Sequence, residues 1–263
     1  MLTEIQLNFK DLKETCNEII NYWKFKDNKV FVLRSNGCIE NVKQFYDDLL
    51  PKLGKSFFLA EDANISNRQK QRNGELWSEV RFDPNYQDAY RHSSNSQPLH
   101  TDGSYIPSFP NASLMCCIKN DVEGGETVFL DSTNLVECLE VENKEMLKSL
   151  LLNEVVHSRS GDTKKEKVIS VINNTVFLNW NYYCLERNNK GELISLFEEF
   201  FEYLKNSKLV KNHLLEVRMG IGDAVIWKDK EVLHGRKSFN ASVSSSRHLC
   251  KCAIDVGNFI NEI

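Results

Sequence analysis

Gly222-Asp-Ala-Val-Ile-Trp-Lys-Asp-Lys-Glu-Val-Leu-His-Gly-Arg-Lys-Ser-Phe239 holds two short apolar runs, residues 224–227 and 231–234, parted by charged residues. Each run is too short for a helix and is rich in β-branched residues, so each predicts a strand. Working toward the C-terminus, residues 247–254 predict a closing strand in which Cys250 and Cys252 alternate. Working back, residues 214–219, 176–178, 168–172, 155–156, 127–130, 113–118, 77–82 and 30–33 repeat the pattern. Glu123-Gly124-Gly125 and Asn173-Asn174 supply turns between neighbouring strands.

Four segments carry the helical period instead. Residues 9–24 place Leu12, Cys16, Ile19, Ile20 and Trp23 three and four apart, and residues 41–53 look helical. Residues 134–152 predict one long helix, and residues 192–204 another, with Leu193, Leu196, Phe197, Phe200, Phe201 and Leu204 on its apolar face. Residues 61–74 are polar and aperiodic, which predicts a long loop. Many short strands interrupted by helices, with no repeat and no linker, predict a mostly β chain. The expected architecture is a double-sheet jelly roll with helices packed outside, one domain over residues 1–263.

Bulk properties narrow the function. The 263 residues carry 33 basic and 37 acidic side chains, a net charge of −4. No basic block stands out beyond Lys164-Lys165-Glu166-Lys167, which reads as a solvated loop, so a nucleic-acid partner is not expected. The eight cysteines form no CxxC pair, which argues against a zinc knuckle. The first residues lack an apolar leader pattern, and no apolar run is long enough for a membrane span. A cytoplasmic, reducing setting and a small-molecule partner are the expectation.

Among six histidines, His100 and His234 carry the chemistry. His100 and Asp102 are two apart, so an extended segment would point both to one face. Alone, His-x-Asp also suits a surface turn. His234 ends an apolar strand and would complete two histidines and one carboxylate, the set that leaves three positions open on iron(II); alone it also suits a strand-end cap. Arg247, thirteen residues on, has a guanidinium that can grip a carboxylate through two parallel bonds, or simply make a surface ion pair.

LHTDGSY, GGETVFLD, GDAVIWKDKEVLHGRKSF and SRHLCKCAID together resemble the taurine dioxygenase superfamily of iron(II)/2-oxoglutarate oxygenases, closest to its γ-butyrobetaine hydroxylase branch. The resemblance runs from about residue 77 to 255. It implies a double-stranded β-helix of the clavaminate synthase-like kind, with residues 1–60 as N-terminal helical and strand elements and 128–212 as a lid or insert. It implies His100, Asp102 and His234 as iron ligands, with no catalytic residue beyond them. Arg247 and Thr127 are implied on 2-oxoglutarate, and O₂ is the oxidant. The expected reaction hydroxylates a small polar metabolite, of amino-acid or ammonium/carboxylate type, releasing succinate and CO₂. The aromatic cage of the γ-butyrobetaine branch has no residue-by-residue counterpart.

Substrate contacts are expected from Phe177-Leu-Asn-Trp-Asn-Tyr-Tyr183, where alternation would put Asn179, Asn181 and Tyr183 on one face, and from Tyr105. The same aromatics also suit a core, and the amides a turn. Arg236, two residues after His234, is expected to be structural. Desaturation, cyclisation and demethylation are alternative outcomes of the same chemistry. A redox-inactive jelly-roll binding protein and a zinc hydrolase are rivals of other classes; neither needs Arg247 and Thr127 in these places.

Overall fold

The computed structural model describes residues 2–8, 11–25, 27–37, 39–58, 76–85, 89–159, 161–187, 191–241 and 243–257. The loop expected over residues 61–74 lies outside them.

In chain order the first half runs β1 (Leu2–Gln6), α1 (Leu12–Trp23), β2 (Val30–Arg34), α2 (Val42–Leu53), β3 (Gly54–Phe57), β4 (Ser78–Arg81), β5 (Gln97–His100), β6 (Ala112–Asn120), β7 (Glu123–Gly124) and β8 (Thr127–Asp131). A helical and hairpin segment follows: α3 (Ser132–Glu142), α4 (Lys144–Leu152), β9 (Glu154–Arg159), β10 (Asp162–Lys167), β11 (Ile169–Ile172), β12 (Thr175–Leu178), α5 (Gly191–Asn206) and α6 (Lys208–Asn212). The chain closes with β13 (Leu215–Val217), β14 (Ala224–Lys228), β15 (Val232–Arg236), β16 (Phe239–Asn240) and β17 (Arg247–Val256).

The strands build a larger sheet, β1-β2-β14-β6-β17-β3 with β4 also on β17, and a smaller one, β13-β8-β15-β5. Only the β1–β2 pair of these sheets is parallel. Period-2 alternation sorts the side chains into layers. Val30, Val32, Met115, Val225, Trp227 and Leu249 from the larger sheet meet Phe129, Val217 and Val232 from the smaller one. The intervening residues Phe31, Leu33, Leu114, Cys116, Ile226, Cys250 and Cys252 face the opposite way, onto α1 and α2 through Cys16, Ile19, Tyr46 and Leu49. On the outer face of the smaller sheet, Leu130 and Leu233 pack under α3, α4 and α5. Each sheet is therefore covered by helices on its outside, and the slot between the sheets is the inner core. No described helix is long and apolar enough to cross a membrane.

Several elements depart from the sequence reading. The helix expected over 134–152 is two, because Asn143 leaves helical geometry (φ −156°). Its N–H donates to the carbonyl of Leu139 and its side chain accepts from the Met146 N–H, so one residue ends α3 and caps α4. Lys164-Lys165-Glu166-Lys167 is not a loop but most of strand β10, paired antiparallel with β9. Its charges are tolerated there because Lys165 reaches Glu154 across the hairpin at 3.0 Å. Glu123 and Gly124 do not only turn; they pair with Phe239 and Asn240. Alternation along 179–183 fails, because β12 ends at Leu178 and Asn181 caps a 3₁₀ turn at Tyr182–Cys184.

Candidate metal centre and active-site cavity

β5 and β15 pair with His100 opposite His234, which sets two imidazoles side by side on the inner face of the smaller sheet. Their ring centroids are 4.2 Å apart. Asp102 is not on the strand but in the turn after it. Thr101 fixes that turn: its N–H donates to the Trp180 carbonyl at 2.7 Å, and its hydroxyl accepts from the Trp180 N–H at 3.0 Å. The carboxylate then stands 3.8 Å from His100 Nε2 and 3.7 Å from His234 Nε2. One ligand atom from each of the three residues lies within 4.8 Å of the others, the one such group among the described residues.

The protonation states suit a divalent cation. His100 Nδ1 lies 2.9 Å from the Pro98 carbonyl, so that nitrogen carries the proton and Nε2 keeps a lone pair. Burial pushes both imidazoles below the usual histidine range, His234 far below, with His100 adding to the effect on His234 and Lys251 acting on both. Burial pulls the Asp102 carboxyl upward, but the Lys251 ammonium, 2.6 Å away, is foremost in holding it well below the ordinary range. The trio is two neutral imidazoles and one carboxylate at neutral pH. The opposite holds for Asp229, fully buried, whose carboxyl rises well above its usual value through burial and the nearby Asp102 charge. Asp229 Oδ1 accepts from Trp227 Nε1 at 3.1 Å and from the Asp102 N–H at 3.3 Å, and lies 4.0 Å from His234 Nδ1.

A second polar group occupies the same inner face. Thr127 lies opposite Arg236 in the β8–β15 register. Arg236 donates to the carbonyls of Ser93 (2.7 Å) and Asn95 (2.5 Å), so it ties down the loop before β5. Arg247 is buried, stacks on Phe239 at 5.3 Å, and gives one N–H to the Gly125 carbonyl at 2.9 Å. Gly125, at φ +73°, permits this: a Cβ there would stand 3.0 Å from Arg247 Nε. Burial and the neighbouring Arg236 pull the Arg247 guanidinium down to about 9, still charged at neutral pH. Thr127 Oγ1 and Arg247 Nε are buried without a hydrogen-bond partner. Buried polar atoms of this kind are uncommon and point to a ligand that completes them. The residues present fit a divalent cation at the trio and an anionic oxygen near Thr127 and Arg247.

A cavity of about 430 Å³ opens onto His100 and Asp102, and its lining includes Tyr105, Asn181 and Tyr183. Asn179 is not in the lining: it is buried and its amide donates to the Ser104 carbonyl at 3.2 Å. Its expected place beside Asn181 and Tyr183 is thereby corrected, because the strand alternation that put them together stops at Leu178. Tyr183 sits at the rim, half exposed, its hydroxyl 2.6 Å from that of Tyr90. Thr127 and Arg247 lie outside the lining, while Gln97 is within it and its amide reaches His100 Nε2 at 3.2 Å. Of the segment 128–212, Arg159 and residues 181–184 reach the cavity.

Two neighbours of the trio escaped the sequence reading. Lys251 Nζ lies 2.7 and 2.6 Å from the two Asp102 oxygens. It was legible as a charge sharing the inward register of β17 with Arg247 and Leu249. Asp229 had no local signal, because only the fold brings it under His234.

A two-sheet β fold enclosing two neutral histidines and one carboxylate defines a class of mononuclear metal enzyme. Residues 57–253 match the family described as taurine catabolism dioxygenase TauD, TfdA family, and the chain belongs to that family. It is 26% identical to the human γ-butyrobetaine dioxygenase over 165 residues, and equally to that of Pongo abelii. The match covers 57% of this chain but only 42% of those relatives. Among solved structures, an asparagine oxygenase in complex with Fe(II), hydroxyasparagine and succinate has a TM-score of 0.70 at 12% identity, over 93% of this chain and 79% of that one. The non-heme iron oxygenase OrfP in complex with Fe and α-ketoglutaric acid has a TM-score of 0.64 at 14% identity, with the same coverage. At these identities the likeness is one of fold.

Proposed function

We propose that this chain is an iron(II)- and 2-oxoglutarate-dependent dioxygenase that hydroxylates an unactivated C–H bond of a small polar metabolite. The observation that carries the reading is the convergence of His100, Asp102 and His234 within 4.8 Å; burial disfavours charge on both imidazoles and Lys251 favours it on the carboxylate. The fold is read as a double-stranded β-helix of the clavaminate synthase-like kind, one oxygenase domain with residues 128–212 as its insert. The complexes of the asparagine oxygenase with hydroxyasparagine and of OrfP with dihydroxyarginine support a substrate of amino-acid size.

His100, Asp102 and His234 would hold the iron on one side and leave three positions for other ligands. Iron so held supplies, with 2-oxoglutarate and O₂, the oxidising power that yields succinate, CO₂ and an oxidised substrate. The chain's part is binding and orientation. Pro98 keeps the His100 proton on Nδ1. Arg247, fixed by Gly125 and Phe239, would grip the far carboxylate of 2-oxoglutarate through its fork, with the Thr127 hydroxyl completing an oxygen. Asn181, Tyr183 and Tyr105 would meet the substrate from the cavity side, and Asn179 would brace that wall from behind. The test is succinate formation from 2-oxoglutarate by the purified protein with and without iron(II). Iron-independent turnover, or no decarboxylation with any amino acid, betaine or sulfonate, would refute it.

A further inference from the structure

Charge limits what can occupy the cavity beside the metal centre. Among the described lining residues Arg91, Arg159 and Lys251 are cationic, and Asp102 is the one carboxylate. Asp102 is already committed to the trio. A cationic group on a substrate therefore meets rings but no spare carboxylate, whereas an anionic group meets Lys251.

Lys251 carries the argument. Leu249 and Lys251 share the inner face of β17, while Cys250 and Cys252 face the helices. The ammonium reaches both Asp102 oxygens, at 2.7 and 2.6 Å, and the side chain is 23% exposed. Ser113 Oγ also donates to Asp102 Oδ2, at 3.2 Å. A cation held by the trio would draw the Asp102 charge away from the ammonium and weaken that pair, while leaving a positive charge facing the cavity. A carboxylate oxygen arriving through the cavity meets that charge with a charge-assisted bond, about twice as strong as a neutral one.

We propose that the substrate of this site is a carboxylic acid of net negative charge, of amino-acid size, whose carboxylate pairs with Lys251 next to the metal centre. Lys251 is then the specificity-determining residue, selecting acids over their amides and over trimethylammonium acids. This rests on the oxygenase reading above. The test is calorimetric and needs no turnover. Manganese(II)-loaded protein with 2-oxoglutarate, kept anaerobic, is titrated with L-aspartate, L-asparagine, L-glutamate, L-glutamine and γ-butyrobetaine. In at least one pair the acid binds tenfold or more tightly than its amide, and γ-butyrobetaine binds no tighter than the amides. Lys251→Met removes the acid preference, so that acid and amide bind alike, and Lys251→Arg restores it. The proposal is overturned if neither acid binds below about 10 mM, if an amide or γ-butyrobetaine equals the acids, or if the preference survives in Lys251→Met. Failure of manganese(II) or 2-oxoglutarate to bind at all is a failure of the oxygenase reading itself, and the anion proposal falls with it.

Discussion

Replacing Gly235 by alanine tests how closely the two histidine strands must approach. Gly235 follows His234 in β15, and a Cβ there would stand 2.7 Å from the Gln97 carbonyl oxygen, 3.3 Å from Pro98 C and 3.4 Å from Leu99 N. All three atoms are backbone of β5, so no side-chain rotation relieves the contact. Reaching an ordinary 3.4 Å requires β5 to retreat by 0.7 Å (3.4 − 2.7) at that point. Overpacking of this kind costs about 1–3 kcal/mol, or roughly 2–4 °C of melting temperature for each kcal/mol in a chain of this size. The same shift carries His100 away from His234, and functional side chains tolerate only about 0.5 Å of misplacement. Gly235→Ala is expected to lower the melting temperature and to weaken manganese(II) binding at least tenfold, about 1.4 kcal/mol. Calorimetric titration and thermal unfolding measure both, with Gly191→Ala as control, since nothing lies within 4 Å of a Cβ there. Wild-type metal affinity together with wild-type melting in Gly235→Ala would refute the close-approach argument.

Three further outcomes are expected. His100→Ala and His234→Ala each abolish iron-dependent succinate formation and sharply weaken metal binding; full activity in both would refute the ligand assignment. Arg247→Lys keeps the charge but loses the fork, and loss of a buried charge-assisted pair costs about 2–5 kcal/mol, so the KM for 2-oxoglutarate rises tens-fold or more, read from initial rates. His157 is buried and held down to about 4 by burial and by Lys164. Between pH 6.5 and about 4 the unfolded chain binds the proton and the folded one does not, so stability is lost as pH falls through that window, by a few kcal/mol at most. Denaturant titrations across the window should show this slope, and His157→Gln should flatten it.

The strand core was legible because its period is local. Residues 224–227, 231–234 and 247–254 alternate faces, and the same alternation that sends Leu249 inward sends Cys250 to the helices. His100 and His234 were legible as chemistry-bearing residues at strand ends. Asn179 was misplaced because a 3₁₀ turn capped by Asn181 breaks the period two residues after β12 ends. The Lys164-Lys165-Glu166-Lys167 run looked like a loop because its charges pair across a hairpin, and cross-strand partners are invisible in a single segment. Asp229 could not be read at all. Its carboxylate matters only because the Asp102 turn, fixed through Thr101 by Trp180, 79 residues downstream of Thr101, lands beside it.

The helix-facing register of the larger sheet also governs how the chain meets oxidants. Cys116, Cys250 and Cys252 lie in the layer under α1 and α2, and all seven described cysteines are buried and unbridged. Burial raises the Cys16 thiol to about 11 and holds Cys116 and Cys252 well above the ordinary thiol range. Thiols are nucleophiles and soft metal ligands only as thiolates, so at neutral pH these are poor nucleophiles and poor metal ligands. They become reactive when the helices lift from the sheet. Alkylation with iodoacetamide then acts as a clock for that opening, with the labelling rate tracking the breathing of the layer and not the intrinsic reactivity of any one sulfur.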